Sequence, residues 1–439
     1  MLRTILYSLV LLVVSLQIPL HAAEWQVGVA RIDITPAKKI WLAGYASRTK
    51  PAEGTTHPLW AKALVFKDGQ GNRAAIVTTD LIGLTRELSD SVGARVARET
   101  GMSREQILLN SSHTHCSPVV RGCAPLAYDF TPAQQQDVDD YAKVLEDKLV
   151  KVIVTASKSL KPARLSYSED RATFAINRRG RINPDGPVDH TVPVLKISDP
   201  AGKLQAVLFG YACHNTTLAY FEFCGDYAGF AQIELEKQYP GITALFLLGC
   251  GGDANPDPRG TRELAAQHGR SLASAVTRAL GAPLKPVRGP LTVKFQRTDL
   301  PFVKPPSREQ LLARQGQGDI YSQRLTKHLL KQLELQRSIP DSYPFSAQVI
   351  EFGSDLTLIG LGGETVIDYA IRLHEELAGR QVWIAGYCNE VVAYVPSERV
   401  LKEGGYEGGG AMKYFGIHGP FQTGVEDRVI QLVHALLEP

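Results

Sequence analysis

Short apolar runs, rich in β-branched and aromatic residues, recur along the chain between polar, Gly- or Pro-containing breaks. "VGVARIDIT", "WAKALVF", "RAAIVTTD", "QILL", "PVLKIS", "LQAVLFGYACH", "ALFLLG", "TLIGLGG" and "QVWIAGY" have the length and composition of buried strands. Elsewhere the apolar positions fall three or four apart, as on one face of a helix. The clearest case opens at Thr131, where Thr131, Pro132 and Gln134 supply an N-cap, a proline at the first helical position and a capping-box partner. Val138, Tyr141, Leu145, Leu149, Val152 and Ile153 then share a face. Ser307 with Gln310 predicts a second helix running through "LLKQLELQR", and "EDRVIQLVHALLE" predicts a third. The alternation predicts an α/β fold, with mixed β-sheets flanked by helices. A Pro- and Gly-rich stretch, "LGAPLKPVRGP", offers the one seam. Polar strand ends lie on both sides of it, so residues 24–439 are read as one domain.

Charge adds little. Lys and Arg total 48 against 45 Asp and Glu, a net of +3, which gives no electrostatic case for a nucleic-acid partner. The N-terminus adds more. "MLRTILYSLVLLVVSLQIPLHAAEW" has Arg3, an apolar stretch and then small residues at Ala22 and Ala23, the three-part pattern of a secretory signal peptide. Gln17 and Pro19 interrupt the apolar run short of the roughly 20 residues that a membrane span needs. Residues 1–23 are therefore read as a signal peptide, with a secreted or periplasmic chain beginning near Ala23 or Glu24. The six cysteines allow 15 pairings, and sequence alone does not choose among them. Cys116 with Cys123, and Cys213 with Cys224, are the locally plausible pairs, and Cys250 reads equally well as a buried free thiol.

Candidate chemistry collects where the apolar runs end. His113 and His115 follow "QILLNSS", and His214 closes "AVLFGYACH" with Asp226 shortly beyond. Asp253, Asn255 and Asp257 follow "ALFLLGCGG", Glu364 follows "LTLIGLGG", and "QVWIAGYCNEVVA" leads to Tyr394. Any one of these is more often structural than functional. Five strand ends with the same character are the usual way an α/β site is assembled. Two histidines and a glutamate form a standard ligand set for catalytic zinc, which lowers the pKa of bound water and polarises a carbonyl. H-E-x-x-H is absent, so such a site is dispersed over the chain.

With these motifs in order, the sequence resembles the N-terminal catalytic domain of the neutral/alkaline (non-lysosomal) ceramidase family. The resemblance is carried by "GVARIDIT", "LAGYA", "NSSHTHCSP", "INRR", "VDHTVPVLKI" with "FGYACHNTTL", "GDYAGFAQIELE", "GCGGDANP", "GGETV" and "AYVPSERVLKEGGYEGG". It implies zinc ligands at His113, His214, Glu364 and Tyr394. It implies a proton-handling role for His115, substrate orientation by Arg178 and oxyanion stabilisation by Tyr406. The family's Gly-Asp-x-Ser-Pro-Asn motif, which carries a nucleophilic serine, reads Gly252-Asp253-Ala254-Asn255-Pro256-Asp257 here. An amide cannot be activated as a hydroxyl can, so water activated by the metal becomes the expected nucleophile, with Asn255 holding water or substrate. The chain stops at Pro439, so the family's C-terminal immunoglobulin-like domain is not expected. The implied function is an exported Zn²⁺-dependent amidohydrolase acting on a small-molecule or lipid N-acyl substrate, with peripheral membrane contact left open. The alternatives are a zinc-containing binding protein without catalysis, or an esterase on another lipid or an acylated sugar.

Overall fold

The computed structural model describes residues 25–438, and the signal peptide expected at 1–23 lies outside them. Nine strands form one mixed sheet. Its order is Thr243–Leu248, Leu204–Tyr211, Thr191–Ser198, Lys161–Arg171, Trp25–Asp33, Trp60–Asp68, Arg73–Thr79 and Ile107–Ser111, with Lys285–Val287 alongside Lys161–Arg171. The pairs at the two ends are parallel and the middle is antiparallel. Tight turns make the antiparallel part. Between Trp60–Asp68 and Arg73–Thr79, Asp68 Oδ1 accepts from the Gln70 and Asn72 amides, and Gly71 takes φ 94°. That left-handed conformation favours glycine.

A second sheet, in the order Leu291–Pro301, Ser342–Phe352, Leu356–Leu361 and Val382–Ala385, packs face to face on the first. Trp25, Leu64, Phe66 and Ile76 of one meet Ile350, Phe352, Leu358 and Trp383 of the other in a single apolar cluster. Phe352 sits 5.6 Å from Trp25 and 5.3 Å from Phe66, ring centre to ring centre. Helices Arg86–Thr100 and Pro132–Lys158, with Asp226–Gln238 and Arg262–Gly281, cover the outer face of the large sheet. Asp368–Glu376 and Val425–Leu437 cover the outer face of the second. Strands buried on both faces read as continuous apolar runs rather than alternations, as Ala244–Leu248 do. The Pro- and Gly-rich seam is the crossover between the sheets: Trp25 Nε1 donates to Val287 O, and Leu291 N donates to Asp68 Oδ2.

Two expectations need correction. The helix opening at Ser307 does not run on to Arg337. It ends at Ala313, and a new helix, Ile320–Glu334, starts at the Asp319 cap. Gly316 and Gly318 take φ of 73° and 75° between them, so the backbone has left the helical region before the second cap. The cysteines are all buried and free. Sequence neighbours face different surroundings: Cys116 Sγ lies near Leu218 O and Tyr220 O, whereas Cys123 Sγ lies near Gly83 O. Likewise Cys224 Sγ faces His57 Nε2 at 3.3 Å, away from Cys213, whose thiol turns to His214 O.

Candidate metal centre

Asn110 draws the strand ends together. It is fully buried, in the edge strand Ile107–Ser111. Its Oδ1 accepts from Leu248 N at 2.9 Å, and its Nδ2 donates to Leu248 O at 3.3 Å and Gly386 O at 2.8 Å. One side chain thus bridges the two edge strands of the large sheet and the end of a strand in the second. The chain beyond each of these points supplies the site. His113 follows Asn110, Gly251 and Asp253 follow Leu248, and Tyr387 and Tyr394 follow Gly386. His113, Tyr387 and Asn389 have φ of 59°, 54° and 63°. Left-handed backbone at non-glycine residues persists where surrounding bonds over-determine it, and it collects at functional sites.

The imidazoles of His113, His115 and His214 lie with ligand atoms within 4.8 Å of one another. His113 Nδ1 is 2.5 Å from Ile82 O, and His214 Nδ1 is 2.6 Å from Gly251 O. Carbonyls only accept, so each neutral ring carries its proton on Nδ1 and leaves Nε2 bare. Glu364 Oε2 is 3.1 Å and 3.2 Å from those two Nε2 atoms. It nevertheless has no hydrogen-bond donor. Glu364 and Tyr394 are paired directly in a short parallel ladder, which sets the phenol oxygen 3.1 Å from His214 Nε2. Two bare nitrogens and a carboxylate oxygen crowding one point, with a phenol beside them, repel one another unless a cation sits among them. This donor set fits a divalent first-row metal.

The electrostatics agree. Burial, with the Arg178 charge, pushes His214 down to about 4, and burial beside the other histidines holds His115 well below the ordinary imidazole range. Burial raises the Glu364 carboxyl; protons donated by His113 and His214 would outweigh it and hold the group well below the usual range, a pull that a cation supplies where both rings are bare. At neutral pH His115 and His214 are therefore neutral imidazoles beside the Glu364 carboxylate. His115 differs from the other two histidines because both its ring nitrogens are buried without a partner. Its position is set by backbone and packing. Arg48 Nη2 donates to His115 O, and the ring lies 4.7 Å from Tyr45. A Cβ at Gly44 would come within 2.3 Å of His115 Cγ, which explains glycine there.

Arg178 sits behind the cluster, 5.1 Å over the Tyr394 ring and 5.7 Å over Tyr406, with Nε donating to Glu407 at 2.7 Å. Asn255 lies on a short strand, Ala254–Pro256, paired with Ala175–Asn177. Its Oδ1 accepts from Thr216 Oγ1 at 3.2 Å. Arg178 N and His214 N donate to Asp253 O and Ala254 O, so the Asn255 segment anchors both residues. Two other polar strand ends are structural. Asp253 accepts from Ile367 N and Asn177 Nδ2, and Asp226 accepts from Leu218 N and Tyr227 N.

A cavity of about 330 Å³ opens onto His113, His115, Glu364, Tyr394 and Tyr406. Neither Arg178 nor Asn255 lines it. Its walls are Tyr45, Tyr128, Tyr321, Tyr414 and Phe415, of which Tyr45 lies in the "LAGYA" motif. Tyr45 and Tyr321 spend their hydroxyls on Leu218 O and Ala46 O, so they offer ring surface to the cavity. Glu364 is the one charged residue in the lining. The cavity thus has a polar floor that could hold a metal, and aromatic sides.

The sequence profile of neutral/alkaline non-lysosomal ceramidase, N-terminal, matches residues 25–267. The chain belongs to this family. It is 28% identical to neutral ceramidase A of Dictyostelium discoideum over 268 residues, which are 54% of this chain and 37% of the relative. To the neutral ceramidase of Drosophila melanogaster it is 28% identical over 249 residues, 53% of this chain and 35% of the relative. The match thus spans little more than a third of these curated relatives. The crystal structure of neutral ceramidase from Pseudomonas aeruginosa superposes with a TM-score of 0.75 at 20% identity, covering 94% of this chain and 74% of that one. That likeness gives the family's fold to nearly the whole chain, including Glu364 and Tyr394, which lie beyond the residues that the profile matches.

Proposed function

We propose that the protein is an exported, zinc-dependent amidohydrolase that cleaves the N-acyl bond of a lipid or another acylated small molecule. The reading is carried by one observation: bare Nε2 atoms of His113 and His214 converge with Glu364 and Tyr394 on the floor of an aromatic-walled cavity. Those four residues would hold the metal. Zinc bound there would acidify water and polarise the scissile carbonyl.

The remaining steps belong to this chain's side chains. His115, with a free nitrogen at the cavity, takes a proton from the attacking water and returns it to the departing amine nitrogen. The Tyr406 O–H donates to the carbonyl oxygen as it gains charge. Arg178 holds the faces of Tyr394 and Tyr406 and helps set the substrate's position. Asn255, outside the cavity lining, has its oxygen committed to Thr216, which leaves Nδ2 to donate to a water that would link it to the substrate carbonyl. Without a hydroxyl at that position no acyl-enzyme forms on residue 255. The aromatic walls and the lack of a cationic side chain in the lining favour an uncharged, apolar acyl compound.

Hydrolysis of a panel of N-acyl and ester substrates tests the reading, with and without a chelator. The expected result is amide cleavage that chelation abolishes and zinc restores, with about one zinc per chain in the active protein. Glu364→Ala should lose both metal and activity. A zinc-loaded protein that hydrolyses no member of the panel would instead be a binding protein, and ester cleavage alone would make it an esterase.

A further inference from the structure

The segment 304–337 is unlike the rest of the chain. It carries seven Lys and Arg against three Asp and Glu, a net of +4, when the whole chain is only +3. Its two helices, Arg308–Ala313 and Ile320–Glu334, pack on a small core of their own around Leu311, Leu329 and Leu330. Along the second helix Ile320, Arg324, Lys327 and Lys331 recur at helical spacing and share one side. Leu335 follows at its end. They border an open groove of about 680 Å³, closed on its other side by Leu126 and Tyr128. Lys327 and Lys331 are exposed and make no ion pair among the described residues. Ile320 and Leu335, at 53% and 55%, are the most exposed large apolar side chains among the described residues, and Leu312 is 40% exposed. The groove adjoins the candidate active site: Tyr128 lines both spaces, and Tyr321, next to Ile320, forms a wall of the cavity.

We infer that this face docks on the anionic headgroup layer of a lipid bilayer, placing the cavity mouth against the membrane. A cationic stripe flanked by exposed aliphatic side chains matches such a surface in charge and in polarity. No helix among the described residues is long and apolar enough to cross a membrane, so the contact is peripheral. The purpose of the contact, delivering an N-acyl lipid, rests on the function proposed above, but the contact itself does not require catalysis.

The test is co-sedimentation of the metal-loaded protein with vesicles of phosphatidylcholine alone or with about one-third phosphatidylglycerol, at low and high salt. Binding should require phosphatidylglycerol and weaken with salt, because the attraction is screened within about 10 Å at 0.1 M. Each cation near the surface contributes about fivefold in partition, so Lys327→Gln with Lys331→Gln should reduce binding about 25-fold. Ile320→Ser should weaken it separately. Both variants should hydrolyse a soluble short-chain N-acyl substrate as the wild type does. Equal binding to both vesicle types, undiminished binding by the double variant, or pelleting by self-association without vesicles would each overturn the inference. Selective binding by a protein that hydrolyses nothing would leave the docking face standing and remove the function proposed above.

Discussion

Asn255 is where the mechanism depends most on a single side chain. If it acts only as a hydrogen-bond donor, Asn255→Ala should slow hydrolysis by about 10²–10³, the usual cost of losing one oriented donor. Asn255→Ser places a hydroxyl where the family motif has one, and it should give a trappable acyl adduct on residue 255. A covalent adduct on the unaltered protein, at any residue, would sink the direct attack by water. A second prediction concerns His214. Folded and metal-free, it stays neutral down to about 4, whereas unfolded it takes up a proton below about 6.5. Its neutral burial therefore favours folding above 6.5, and this contribution is lost as pH falls toward 4, by up to about 1.4 kcal/mol per pH unit. Asp226 and Asp253, raised to about 6 by burial, act in the opposite sense, so absolute stability would blur the effect. The stability difference between wild type and His214→Gln removes their contribution and should shrink over that window. A difference independent of pH would mean that His214 is not buried as a neutral ring. At this scale the residues that converge at the cluster were legible in the sequence, and most of the cavity walls were not. His113, His214 and Glu364 follow apolar runs, but Tyr128, Tyr414 and Phe415 come from a loop and a short helix with no periodicity of their own, and Tyr321 from a longer helix whose pattern does not mark the cavity.

Among the elements, strand ends matter more than strands. Asn110 satisfies backbone groups of Leu248 and Gly386 on two other strands, and its loss would leave them buried and unpaired. Asn110→Ala should cost about 1–3 kcal/mol for each group stranded. It should also weaken zinc binding, because the segments that it ties together lead to His113, Gly251 and Tyr394. Phe352→Ala, between the sheets, should cost about 3–5 kcal/mol while leaving zinc affinity intact. Calorimetry with a competitive zinc titration separates the two. Equal zinc affinity in both variants would reduce Asn110 to a stability role. The strands were legible because burial on both faces writes them as unbroken apolar runs. The helix at Pro132–Lys158 was legible from its capping box and apolar face. The break between Ala313 and Ile320 was not recognised, although Gly316, Gly318 and the Asp319 cap mark it, because the apolar pattern resumes beyond it. Asn110 was invisible as a clip, since its partners lie 138 and 276 residues away.

For the whole molecule, the site lies at the ends of two sheets whose facing surfaces meet through side chains. His113 and His214 follow strands of the large sheet, and Glu364 and Tyr394 follow strands of the second. The pairing of these sheets was not legible, because the packing of Phe352 on Trp25 and Phe66 links positions hundreds of residues apart. The N-terminus carries the pattern of a signal peptide but lies outside the described residues; if the proposed export holds, mass spectrometry of the exported protein should find the chain starting near Ala23 or Glu24. An intact Met1 in the membrane fraction would make that segment an anchor. The proposed metal would bridge both sheets and so stabilise the molecule by mass action. Free zinc at one hundred times its dissociation constant adds about 2.7 kcal/mol to the folded state. Chelation should therefore lower the melting temperature, and zinc should restore it in a concentration-dependent way. Magnesium and calcium should not, since two imidazoles favour softer ions. His214→Ala should melt at the same temperature with or without zinc, because the bridge is already broken. A wild-type melting temperature unmoved by chelator and zinc, in protein free of metal by elemental analysis, would show that the convergent nitrogens and carboxylate hold no zinc.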